Sequence, residues 1–156
     1  MSQKGFSLIG LVGSIIILGV SSVIAAPKFL NLKNDALFAI IGADGAAIKS
    51  ALELVHMKAE IGPIVDDMLQ LSGGFVSISP ESMYPDFSET NSEKQIKEKI
   101  NVFVDIDLSR YDAMVVNDGF VLYPNAFRAN KDEFCVIDYV PNREPEKLHV
   151  ITTGCF

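Results

Sequence analysis

Between Phe6 and Ala26 the chain reads FSLIGLVGSIIILGVSSVIAA, 21 consecutive residues without a charge in a protein of 156 residues that holds 33 charged side chains elsewhere. Fourteen of the 21 are apolar and the others are Gly or Ser. At 1.5 Å per residue a helix of this length spans about 32 Å, close to the hydrocarbon thickness of a bilayer. A helix on the surface of a soluble domain would show a polar stripe, and none is visible here. The rest of the composition sets outer bounds. A net charge of −7 argues against a nucleic-acid partner, which would need a surplus of Lys and Arg. A hydrophobic share of 49% excludes a disordered chain, and the length fits one domain with an appendage.

Three readings of the apolar run compete on its residues: a single-pass anchor, a removable secretory signal, and a prepilin signal that is cut ahead of the run. Lys4 supplies a short basic region for a secretory signal, with a cut after Ala25; Pro27 disfavours a cut after Ala26. The flanks favour the prepilin reading. The leader Met1-Ser2-Gln3-Lys4-Gly5 is short and polar and ends in Lys-Gly. Phe6, Ser7, Leu8 and Ile9 follow, then Leu11, Val12, the Ile15–Gly19 stretch and Ala26-Pro27-Lys28-Phe29. This arrangement over residues 4–35 resembles the type IV pilin and pseudopilin family. The resemblance implies an α+β type IV pilin fold, in which a long N-terminal helix packs on a C-terminal antiparallel sheet. It implies cleavage between Gly5 and Phe6, N-methylation of Phe6, and polymerisation through the helix. Ala26 to Leu32, Asp35-Ala36, the Cys135 to Tyr139 segment and the terminal Gly154-Cys155 resemble pilins of the mannose-sensitive haemagglutinin type.

One position departs from the family pattern. Most members carry Glu at the fifth residue after the cleavage point, where this chain has Gly10. A lone carboxylate in an apolar segment is costly unless paired, and the family's implied partner is the N-terminal amine of a neighbouring subunit. Gly10 offers no such charge. The chain therefore reads as a minor or divergent subunit, with a tip-proximal position as the sharper alternative.

Further along, Pro27 removes one backbone donor, but such breaks are tolerated in long helices. Lys49, Glu53, His56 and Glu60 recur at helical spacing, with Leu37, Ile41, Ile48, Leu52, Val55 and Ala59 on the other face. This predicts an amphipathic continuation with one buried stripe, ending at Gly62-Pro63. The expected organisation is a leader at 1–5, a transmembrane and assembly helix at 6–26, its amphipathic continuation at 27–62, and a globular head at 63–156. Val65 to Leu71 reads as a further turn or two of helix, and residues 77–95 as loop with a turn at Tyr84-Pro85-Asp86. Glu93 to Lys99 reads as a short solvated helix. Strands are expected at Val102–Ile106, Ala113–Val116, Phe120–Tyr123, Phe134–Val140 and Leu148–Thr153. Asn117-Asp118-Gly119 marks a hairpin turn with Gly placed for positive φ.

Chemistry beyond assembly finds little support. The resemblance and Lys4 put the head outside the cytoplasm. In that oxidising compartment the two cysteines, Cys135 and Cys155, are expected as a disulfide closing the Val136–Gly154 loop, as in pilins. That bond would contribute about 3 kcal/mol by loop-closure arithmetic. His149 is a weak extra ligand for a two-cysteine zinc site. Two histidines without a flanking signature give no triad or metal dyad, so the chain reads as no enzyme, with no cofactor. Asp105, Asp107, Asp112, Asn117 and Asp118 read as acidic surface at strand ends; their spacing does not match a calcium-binding EF-hand loop. The implied partners are other pilin subunits, a prepilin peptidase, an inner-membrane assembly platform and, before assembly, the inner membrane itself. The implied location is that membrane and then a pilus on the cell surface, with roles in assembly, attachment or adhesion. The alternatives are a type II secretion pseudopilin and a membrane-tethered periplasmic binding domain that never polymerises.

Overall fold

The computed structural model describes residues 8–125, 135–144 and 146–152, side chains at 24–31, 33 and 34 excepted. The chain divides into two compact units, Met1–Leu37 and Phe38–Phe156. The first unit is helical throughout its described part. It holds the beginning of α1, a helix running Leu8–Ile61 with Pro27 inside it.

The second unit holds the end of α1 and everything after it. Ile41, Ile48, Leu52, Val55 and Ala59 are buried there, as the 3.6-residue period requires. The helix stops at Ile61, ahead of Gly62-Pro63, and the Gly62 N–H still donates to the Lys58 carbonyl at 2.8 Å. Three strands follow at once: β1 (Ile64–Val65), β2 (Met68–Leu71) and β3 (Gly74–Ser77) form an antiparallel sheet in that order. This corrects the helical expectation for Val65 to Leu71. Asp66 and Asp67 both take positive φ, 52° and 58°, which makes a tight hairpin turn and reverses the chain. Leu69 and Val76 then pair across β2 and β3 and bury with Val55, Ala59 and Ile78.

Helix α2 (Glu93–Asn101) starts at Ser92, whose hydroxyl accepts from the Gln95 N–H at 3.3 Å. It is not merely solvated: Ile96 and Ile100 are buried. The expected strand at Val102–Ile106 is absent, a second correction. The N–H groups of Val102, Phe103 and Val104 turn back onto carbonyls at the end of α2, so they are not offered to a sheet. A 3-10 turn at Leu108–Arg110 leads into the main sheet. Its strands are β4 (Tyr111–Val116), β5 (Gly119–Pro124), β6 (Val136–Tyr139) and β7 (Leu148–Ile151), antiparallel and in sequence order. The expected Phe134 and Thr153 ends of the last two strands lie outside the described residues.

The β4–β5 hairpin forms where its turn residues put it, but positive φ falls on Asn117 and Asp118, not on glycine. Gly119 is required for another reason: a Cβ there would lie 1.8 Å from the Tyr139 carbonyl oxygen across the β5–β6 pairing. Phe120, Leu122, Ile137 and Tyr139 form the sheet's contribution to the core, against Ile41, Ile48, Leu52, Ile96 and Ile100. Gly45 of α1 lets Val150 of β7 approach closely; a Cβ there would sit 2.4 Å from a Val150 methyl carbon.

Candidate functional site

The described side chains of the uncharged segment run from Leu8 to Val23, and their large apolar members are exposed around the whole helix. The serines do not interrupt that surface. Ser14, Ser21 and Ser22 donate to the carbonyls of Leu11, Ile17 and Leu18 at 2.8, 2.9 and 2.9 Å, so their hydroxyls are satisfied within the helix. A Cβ at Gly10, Gly13 or Gly19 would meet nothing within 4 Å, so no packing among the described residues of this unit explains these glycines. They leave the helix backbone open to close approach by another helix. No acidic residue stands in the first turn of α1. Among the described residues no helix is long and apolar enough to cross a membrane.

In the second unit the polar groups pair with one another. Asp44 is buried on α1, and its Oδ2 accepts from the Tyr111 hydroxyl at 2.6 Å with the Arg110 guanidinium 3.6 Å away. Burial and the Asp44 carboxylate push the Tyr111 phenol well above its usual range. Tyr139 donates to the Pro85 carbonyl at 2.7 Å, and burial raises its phenol too. Burial lowers the Lys99 ammonium, which is held by the Ser77 hydroxyl at 2.6 Å and the Asp86 carbonyl at 2.7 Å. This lysine ties α2 to β3.

A cleft of about 700 Å³ lies within this unit, lined among others by Lys49, Glu53, His56, Tyr84, Glu146 and Lys147. His56 stacks on Tyr84 with centroids 4.1 Å apart and planes 10° apart, and the Lys147 ammonium lies 5.1 Å from the same ring. The Tyr84 hydroxyl donates to Glu53 at 3.1 Å; desolvation first, and then Glu53, push its phenol up to about 12. His56 Nδ1 lies 3.2 Å from the Met83 carbonyl oxygen and Nε2 lies 3.5 Å from the Glu60 carboxylate, so both ring nitrogens face acceptors. Among the described residues no group of three or more His, Cys, Asp or Glu is placed to hold a metal ion.

The expected site residues fall as follows. Gly5, Phe6 and Cys155 lie outside the described residues. Gly10 is on the exposed helix, and Pro27 is within α1. Cys135 is buried at the start of β6 and is not a free thiol. The structure also shows a second apolar feature on α1, visible in the sequence as residues at helical spacing on the far face. The face of α1 opposite Ile48 is apolar as well: Leu54, Met57 and Ile61 are 64%, 52% and 88% exposed.

No family model matches the chain, and no solved structure matches it. Among curated proteins it is similar to the type IV narrow pilus major component PilA5 of Thermus thermophilus, 37% identical over 68 residues. That match covers 44% of this chain and 59% of the relative's length. The similarity supports the type IV pilin family, and the helix with antiparallel sheets is an α+β architecture consistent with the type IV pilin fold. It does not single out the mannose-sensitive haemagglutinin group.

Proposed function

We propose that this chain is a structural subunit of a type IV pilus, built into the filament by its N-terminal helix. The observation that carries the reading is the helix surface from Leu8 to Val23, apolar on every side with its hydroxyls bonded inward. Ten large apolar side chains are exposed there. Covering them with lipid or protein is worth on the order of 10–20 kcal/mol. Such a surface exchanges lipid for neighbouring helices at little net cost, and Gly13 and Gly19 permit the close approach that this needs. The similarity to a pilus component points the same way.

The steps follow from that role. The precursor inserts with Lys4 in the cytoplasm, and a membrane peptidase cuts between Gly5 and Phe6 and methylates the new amine. The helix beginning at Phe6 holds the subunit in the inner membrane until an assembly platform extracts it. Cys135 pairs with Cys155, the other cysteine in the sequence, and closes the C-terminal loop. Gly10 offers no carboxylate to a neighbour's amine, which favours a minor subunit over the main shaft. A role in attachment or adhesion follows from a head displayed on a surface filament. The test is immunogold labelling of sheared surface filaments with antibody against the head. Gold on filaments supports the reading; filaments that never label, in cells that make the protein, refute it. Even decoration along the whole length would remove the minor-subunit assignment.

A further inference from the structure

In the second unit, α1 has two apolar faces. One is buried against the sheets. On the other, at 100° per residue, Ala39, Ala43, Ser50, Leu54, Met57 and Ile61 fall in one sector about 60° wide, opposite Ile48. All six are exposed, and no charged residue falls within that sector. A helix with one buried face ordinarily turns charge toward water on the other. Lys58 borders the stripe, exposed and without an ion pair among the described residues.

A second exposed apolar surface stands on the small sheet, beside the Ser77 end of the same side, which Lys99 of α2 covers. The register pairs Val65 with Met68 and Gln70 with Phe75, which puts Val65, Met68 and Phe75 on one side, while Leu69 and Val76 bury on the other. Val65 and Phe75 are 67% and 60% exposed. The turn beside them presents Asp66 and Asp67, both exposed and without ion pairs among the described residues. The two faces are therefore complementary in charge as well as apolar, one edged by an unpaired lysine and the other by two unpaired aspartates. Area argues for repetition. The helix stripe is about 33 Å long and offers roughly 300 Å², well short of the ~800 Å² per partner of a stable isolated pair. Each subunit would make two such contacts, one with its stripe and one with its sheet, added to the packing of the N-terminal helices that holds it in the filament.

We propose that the outer stripe of α1 docks against the Val65–Met68–Phe75 face of a second copy of this chain, head to tail. An interface between two different patches does not close on itself, so it joins neighbouring copies in short runs within a filament that also holds other subunits. The proposal rests on the pilus reading and names the surfaces through which heads would meet.

The test uses the full chain in cells, with Leu54→Cys and Phe75→Cys. Both side chains are exposed, so neither change opens a cavity. Oxidation of the double variant is expected to give a ladder of covalent dimers and short multimers from sheared filaments, and neither single variant should give one. A Lys58→Glu variant should lower filament yield several-fold, and adding Asp66→Lys and Asp67→Lys should restore it. Self-linked dimers of L54C alone would overturn the head-to-tail pairing in favour of a symmetric contact. Filaments that contain the chain but give no ladder would overturn the pairing and leave the pilus reading standing. Absence of the chain from filaments would overturn both.

Discussion

Removing one oxygen tests how the helix is locked to the sheet. Tyr111 is buried at the start of β4, and its hydroxyl donates to Asp44 Oδ2 at 2.6 Å from the middle of α1. Asp44 is 9% exposed, so its carboxylate has little access to water. Its cationic partner, Arg110, is 3.6 Å away and also pairs with Asp107. Tyr111→Phe keeps the ring and its packing but leaves the carboxylate short of its closest donor. A hydrogen bond to a charged group is worth about 1.5–3 kcal/mol. For a unit of this size that corresponds to a melting temperature lower by roughly 5–15 °C. The assay is circular dichroism of the full chain in detergent, read through the thermal transition of the head. Asp44→Ala and the double variant complete a mutant cycle, with a coupling energy above about 1 kcal/mol expected for groups in direct contact. A Tyr111→Phe protein that melts within about 2 °C of the parent would refute the claim that this bond holds the helix to the sheet.

Other perturbations reach different parts of the fold. Gly119→Ala places a Cβ 1.8 Å from the Tyr139 carbonyl oxygen, so the β5–β6 pairing must open; loss of the cooperative thermal transition is expected. Ser92→Ala removes the α2 cap and should cost about 1 kcal/mol in denaturant titration, with the filament contacts unaffected. Alkali should weaken the head. Tyr84 is raised to about 12 in the fold, above its unfolded value near 10. Its contribution is therefore fully present below pH ~10 and is lost as pH rises toward 12, which denaturation midpoints measured across that range will show.

Much of this architecture is legible in the sequence because periodicity and turn chemistry agree there. The buried series from Ile41 to Ala59 has helical spacing, and β4 and β5 flank a turn whose residues tolerate positive φ. Elsewhere local signals mislead. Val65 to Leu71 looks helical because Val65, Met68 and Leu69 fall at i, i+3 and i+4, but the Asp66-Asp67 turn and pairing with Gly74–Ser77 make it a hairpin. Val102 to Ile106 has β-forming residues, yet the end of α2 captures its first N–H groups and the core takes Phe103, Val104 and Ile106 without a ladder. The buried Asp44–Tyr111 bond joins residues 67 positions apart, a pairing that only the tertiary fold creates. The outer stripe of α1 is plain in the periodicity, but only once the inner stripe has been assigned to the sheets and the remainder is asked what covers it.

If the chain is a pilus subunit, the uncharged helix is kept in the mature protein and used for assembly. Mass spectrometry of the mature N-terminus, on protein recovered from sheared surface filaments, tests it most directly. A chain that begins at Phe6 with a methylated amine is the predicted result. A chain in the cell envelope that begins at Met1 or at Ala26 would contradict it.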